Sequence, residues 1–353
     1  MSKFFTSKYD ALTPYTPGEQ PKDAVYTKLN TNESPFPPSE KTMARALDEA
    51  SKANLYSDPE CRELRKTASA LFNIGENEIV FTNGSDDALN FAFMAFCDQN
   101  HPIVFPSLTY GFYPVFAQLN AIPYRTIPLK DDFSIDYRDY LNLNETIVIA
   151  NPNAPTGKAL PLDEIEQIVK SNNSVVIIDE AYVDFGGESA IPLTKKYDNL
   201  LVVQTFSKSR SLAGARLGYA IGNEKLIADI NTLRYSTNPY NINRVTSALG
   251  VGAMLDDEYY KNNCQTIIKN REYLTKELEN LGFSVLDSKA NFVFAKADFI
   301  GGEELYLKLK SNGVLVRRFS SKGIEDYNRI TVGTKEQIDI LIEKITQIKE
   351  SAL

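Results

Sequence analysis

As far as residue 240, short apolar runs alternate with stretches patterned as helices. The runs at 78–81, 103–105, 146–150, 175–178, 200–203 and 217–221 are near-continuous in apolar residues, the pattern of strands buried on both faces. Between them, "DDALNFAFMAFC" and "TYGFYPVFAQLN" read as buried helices. "PLDEIEQIVKS" places Ile165, Ile168 and Val169 at i, i+3 and i+4. This alternation predicts an α/β architecture with a mainly parallel central sheet and helices on both faces.

Past residue 240 the rhythm changes. "NNCQTIIKNREYLTKELENLG" reads as a long amphipathic helix, with Ile267, Leu274, Leu278 and Leu281 on one face and Gly282 as its stop. "FSVLDSKANFVFAK", "GVLVRRF" and "NRITVG" read as strands. A last helix carries Ile338, Leu341, Ile342, Ile345 and Ile348 on one stripe. A smaller α+β C-terminal domain is therefore expected.

Ligands of open parallel sheets bind beyond the carboxyl ends of the strands, so the residues there matter most. In "IVFTNGSDDALN" a strand leads through Gly84, Ser85 and Asp86 into a helix, which suits either an anion site or plain capping. In "SVVIIDEAYVDF" Asp179 ends an apolar run, as a turn cap or as a carboxylate facing a buried cation. "NPNAPTG" follows another strand as a stiff loop. In "TFSKSRSLAGARLGY", Lys208 stands at a strand mouth and Arg216 follows after small residues. Lysine there is usually solvated, yet the crowding of Ser207, Ser209, Ala213, Gly214 and Ala215 suggests a bound group. Together and in this order, these are the parts for pyridoxal 5′-phosphate (PLP): lysine for a Schiff base, aspartate for the pyridinium nitrogen, and a helix start with an arginine for the phosphate.

Composition removes other classes. A net charge of −8 offers no basic footprint for nucleic acid. The single histidine, His101, precedes Pro102 and reads as a surface loop residue, leaving little for a Ser-His-Asp triad or a histidine metal site. Cys61, Cys97 and Cys264 are far apart and form no CxxC pair, as expected of reduced thiols. The start of the chain has no apolar core of signal-peptide length, and there is no apolar run long enough for a membrane span. A cytoplasmic protein without metal is expected.

The ordered motifs "LTPYTPG", "KLNTNESPFPPS", "YSDPECRELR", "TNGSDDAL", "PSLTYGFY", "NPNAPTG", "IIDEAYVDF", "TFSKSRSLAGARLGY", "NPYNIN", "GVLVRR" and "NRITVGT" run almost end to end. With them the chain resembles the fold-type I PLP-dependent aminotransferases, and among these the histidinol-phosphate aminotransferases. The resemblance implies an arm at 1–40 for substrate and dimer contacts, a large PLP-binding domain at 41–240 and a small domain at 241–353. It implies Lys208 as the Schiff-base lysine, Asp179 on the ring nitrogen, Tyr182 on the phenolic oxygen and Tyr110 on the ring face. Gly84, Ser85, Asp86, Ser207 and Arg216 would hold the phosphate, and Tyr56 would reach a neighbouring subunit's phosphate in a homodimer with shared sites.

One departure stands out. The family usually carries Asn immediately before "PTG" to donate to the phenolic oxygen, and here that residue is Ala154. Either Asn153 makes the bond through a shifted loop or the bond is absent. For substrate, the resemblance implies Arg329, Arg317, Tyr15 and Asn32, with histidinol phosphate as amino donor and the glutamate/2-oxoglutarate pair for the second half-reaction. An aromatic amino-acid aminotransferase, a threonine-phosphate decarboxylase and a non-enzymatic PLP-fold binding protein are the alternatives. Arg318 is expected on the other face of its strand, and Arg210 as a surface charge.

Overall fold

The apolar runs assemble into a seven-stranded sheet in the computed structural model, which describes residues 2–10 and 12–351. Its order is Ile79–Thr82, Gly218–Gly222, Leu200–Thr205, Val176–Asp179, Thr146–Ala150, Ile103–Pro106 and Tyr124–Ile127. Neighbours are parallel except around Gly218–Gly222, which runs antiparallel to both strands beside it. Successive side chains of a strand point to opposite faces. On Thr146–Ala150, Ile147 and Ile149 pack with Leu64, Ile165, Ile168 and Val251, whereas Val148 and Ala150 pack with Ala88, Leu89 and Ala92. The helices Arg62–Phe72, Leu162–Ser171 and Arg244–Leu255 thus cover one face and Ser85–Phe96 the other. Burying each large apolar side chain stabilises the sheet by about 1.5–3 kcal/mol.

Two local differences from the sequence reading have simple causes. The edge strand Tyr124–Ile127 buries only Ile127, so it lacks the apolar run that marks the others. The helix read in "TYGFYPVFAQLN" is confined to Tyr113–Leu119, because residues 110–113 form a turn before it, closed by Tyr113 N–H on the Tyr110 carbonyl at 3.2 Å.

The C-terminal region forms a four-stranded antiparallel sheet, ordered Arg317–Arg318, Tyr327–Thr331, Phe292–Ala297, Phe283–Val285. Helix Asp257–Asn280 backs it through Ile267, Leu274 and Leu278, and helix Lys335–Glu350 through Ile338, Leu341 and Ile345. "GVLVRRF" is not one strand. Val314–Leu315 pairs in parallel with Thr27–Lys28, and only Arg317–Arg318 joins the larger sheet. The N-terminal segment is thereby stitched to the C-terminal region, and the Leu29 carbonyl accepts from Thr331 N–H at 2.9 Å. That docking delivers Thr31 and Asn32 to the strand ends of the large sheet. Among the described residues no helix is long and apolar enough to cross a membrane.

Candidate active site

Strand Ile79–Thr82 ends just before Gly84, which turns the chain at φ +85° into helix Ser85–Phe96 without a side-chain cap. The first N–H groups of the helix and the positive end of its dipole form an anion cradle there. Glycine is required at two places around it. A Cβ on Gly84 would lie 2.6 Å from Arg216 Nη2, and one on Gly218 would lie 2.2 Å from the Ser85 nitrogen. Arg216, itself left-handed at φ +54°, reaches Asp86 at 3.2 Å and Ser207 Oγ at 3.5 Å. Gly84, Ser85, Asp86, Ser207 and Arg216 therefore form one cluster. The Tyr110 hydroxyl donates to Asp86 Oδ1 at 2.8 Å. Burial and the Asp86 charge hold that hydroxyl protonated far above the usual tyrosine range.

Asp179 ends strand Val176–Asp179 and is only 4% exposed. Burial pushes its carboxyl up to about 6, against the opposing pull of the Tyr113 hydroxyl, which donates to Oδ2 at 2.8 Å. A cation placed against Asp179 would favour the carboxylate again. Tyr113 was not singled out from the sequence. Its signal is spacing: it falls three residues after Tyr110, and the two rings meet edge-on at 5.6 Å. The neighbouring Glu180 faces away from this group. It accepts from Ser189 Oγ and the Ala190 N–H at 2.6 Å each and from Gln204 Nε2 at 2.7 Å, and burial pushes its carboxyl up to about 7.

Lys208 follows strand Leu200–Thr205. Its Nζ donates to the Thr31 carbonyl at 3.3 Å and lies 5.8 Å from the centre of the Tyr182 ring. Tyr182 Oη accepts from Asn32 Nδ2 at 3.0 Å. Asn153 sits in the adjoining loop with its carboxamide engaged. It donates to the Leu108 carbonyl and to Thr156 Oγ1, both at 3.0 Å, and accepts from Thr109 at 2.8 Å. Ala154 packs with Ala290 and Phe292 against Tyr182.

Arg210 corrects the expectation of a surface charge. Its guanidinium is largely buried, pairs with Asp257 at 2.6 Å and donates to the Ala253 carbonyl at 3.2 Å. The loop after Lys208 folds inward against the start of helix Asp257–Asn280, where burial makes an unpaired arginine costly. Tyr56 stands on another surface. It is 79% exposed, stacked on Tyr240 at 4.5 Å. His101 is exposed beside Asp98.

Arg317 and Arg329 are direct partners across their antiparallel strands. The Arg329 guanidinium lies 5.2 Å from the centre of the Phe292 ring and 5.8 Å from that of Phe319. Among the described residues its Nε is buried without a partner. Arg317 donates to the Thr16 and Pro17 carbonyls, both at 3.1 Å, and so holds the N-terminal segment near Tyr15, whose ring stacks on Phe112 at 4.3 Å. Arg318 points to the other face and pairs with Glu303 at 3.1 Å.

The family described as aminotransferase class I and II matches residues 24–345. A histidinol-phosphate aminotransferase of Brachyspira hyodysenteriae is 52% identical over 352 residues, covering 99% of both chains. One from Clostridium botulinum (strain Kyoto / Type A2) is 45% identical over 351 residues, again covering 99% of both. Among solved structures, the histidinol-phosphate aminotransferase of Sinorhizobium meliloti in complex with pyridoxal-5′-phosphate superposes with a TM-score of 0.90 at 21% identity, covering 100% of this chain and 99% of that one.

Proposed function

Because the chain belongs to the class I and II aminotransferases, in their histidinol-phosphate aminotransferase branch, we propose that it holds PLP and moves the amino group of L-histidinol phosphate to 2-oxoglutarate. The products are imidazole acetol phosphate and glutamate. The residues present fit the cofactor. The uncapped helix start with Gly84, Ser85 and Arg216 suits a phosphate, and the buried Asp179 suits a protonated ring nitrogen. Tyr110 suits the ring face and Tyr182 Oη the phenolic oxygen. When bound, PLP supplies the electron sink that makes the substrate Cα–H acidic. Lys208 Nζ takes that proton and returns it, while Asp179 holds the proton of the ring nitrogen.

The register of Arg317 opposite Arg329 carries the substrate reading. Like charges placed so repel, and Arg329 Nε has no partner. An anion between them answers both, and a phosphate ester answers better than a single carboxylate. Glutamate formation from 2-oxoglutarate tests this. Histidinol phosphate is expected to be the efficient donor. Rapid transfer from phenylalanine with none from histidinol phosphate would overturn the reading, and CO2 release from threonine phosphate would point to the decarboxylase.

Tyr113→Phe removes a donor to the Asp179 carboxylate and so favours its protonated form. The acid limb of the pH–rate profile is expected to move up by about one pH unit. An unmoved limb would remove Tyr113 from the site.

The same proposal includes a homodimer in which Tyr56 reaches the partner's phosphate site. The exposed Tyr56, Met43 and Leu47 support it as a surface to be covered. The arm at 1–40, large domain at 41–240 and small domain at 241–353 are its working division. The three free, buried cysteines support a cytoplasmic location.

A further inference from the structure

We infer that Asn32 is a positioning residue for Tyr182: its carboxamide fixes the direction in which the tyrosine hydroxyl donates, beyond any contact Asn32 makes with substrate. The inference rests on the proposed cofactor reading. A tyrosine oxygen has one O–H to give and lone pairs to accept with. Asn32 Nδ2 occupies an accepting position at 3.0 Å, so the hydroxyl proton is turned away from Asn32 and into the space shared with Lys208.

The orientation of the carboxamide is itself fixed. Thr331 Oγ1 accepts the Asn32 backbone N–H at 2.9 Å and donates to Asn32 Oδ1 at 3.1 Å. With Oδ1 engaged on Thr331, Nδ2 has to face Tyr182. Asn291 Nδ2 donates to the Asn32 carbonyl at 3.0 Å. The residue is 1% exposed and left-handed at φ +55°, a conformation asparagine tolerates better than most residues. A buried, left-handed residue with its polar atoms this fully engaged is a fixed support.

Among the described residues, no other side chain beside Tyr182 performs the task. Ala154, packed against its ring, has no side-chain donor, and both N–H groups of the Asn153 carboxamide are engaged on Leu108 and Thr156. Among the described residues, Asn32 supplies the one side-chain N–H bonded to Tyr182 Oη. The adjoining Thr31 carbonyl holds Lys208 Nζ. Residues 31 and 32 therefore set the geometry of both groups that handle protons, and Thr331 ties them to the strand that carries Arg329. A hydroxyl that accepts a hydrogen bond donates more strongly, so Asn32 also strengthens the bond Tyr182 offers to the phenolic oxygen.

Asn32→Gly tests this in the cofactor-loaded protein, because glycine keeps the left-handed backbone while removing the side chain that carries the carboxamide. The midpoint of the pH titration of the visible absorption band, measured without substrate, is expected to rise by about half a pH unit or more. Turnover should fall about 5- to 30-fold with KM for histidinol phosphate little changed. Both effects should vanish when Asn32→Gly is made in a Tyr182→Phe background. Thr331→Val, which frees the carboxamide to turn, should shift the midpoint the same way by less, and it serves if Asn32→Gly fails to fold. An unmoved midpoint with a raised KM would overturn the inference, as would an undiminished effect in the Tyr182→Phe background. Absence of any visible band in the parent protein would overturn the cofactor reading and this inference with it.

Discussion

Lys208→Ala is expected to lower turnover about 10²- to 10⁴-fold while leaving the fold intact. The rate loss is that of a positioned proton-transfer group. Among the described residues, no other lysine and no histidine bonds to Tyr182, Asp179 or Thr31 to replace it. The fold should survive because, among the described residues, the Lys208 amine makes one hydrogen bond, to the Thr31 carbonyl at 3.3 Å, and no salt bridge. Removing it leaves no buried charge without a partner, so the melting temperature should stay close to the parent's. Lys208→Arg should not restore turnover, since a guanidinium does not give up its proton in a protein. Glutamate formation and thermal unfolding, measured side by side, check both halves. Turnover within tenfold of the parent would remove Lys208 from the chemistry.

Lys208 and Asp179 were legible in the sequence because the signals coincide. An apolar run marks a buried strand, and a charged residue at its carboxyl end, where ligands of such sheets bind, has a functional reading beside that of a cap or a solvated side chain. Gly84 drew notice as a glycine between a strand and a helix start, and Arg216 as a cation after a run of small residues. Other features left no such trace. Tyr113 reads as one more aromatic in a buried helix, and its spacing from Tyr110 gains meaning only from its contact with Asp179. "GVLVRRF" has the continuous pattern of one strand, and its division between two sheets follows from the tertiary docking of residues 27–28. Arg210 sits among serines and looks solvated, and its partner Asp257 lies in a different element, invisible to local pattern. Asn32 was a substrate candidate through the family resemblance alone, and its bond to Tyr182 spans 150 positions.

Asp179→Asn is expected to act with opposite signs on stability and on turnover. In the cofactor-free protein the carboxyl is raised to about 6 from an ordinary value of 3.8, chiefly by burial. Below about pH 3 the carboxyl is protonated in folded and unfolded chains alike and contributes nothing. As pH rises through 4 to 6, the unfolded chain ionises while the folded chain stays neutral, so stability falls, and above 6 the loss is complete at about 3 kcal/mol. Asparagine avoids that loss. It keeps an oxygen for the Tyr113 hydroxyl and gives up one weaker acceptor, the contact with Ala181 N–H at 3.3 Å. The cofactor-free variant should thus be about 1–3 kcal/mol more stable than the parent at pH 7.5, with most of the gain gone at pH 4. Turnover should move the other way. With the carboxylate gone, a protonated ring nitrogen loses its buried counter-charge, a defect of about 3–5 kcal/mol, and turnover should drop about 10²- to 10³-fold. Denaturant unfolding at the two pH values and glutamate formation at pH 7.5 measure the two signs separately. A variant less stable than the parent at pH 7.5 would show that Asp179 is satisfied without a cation, and the site would then lack the strained carboxylate on which the ring-nitrogen assignment depends.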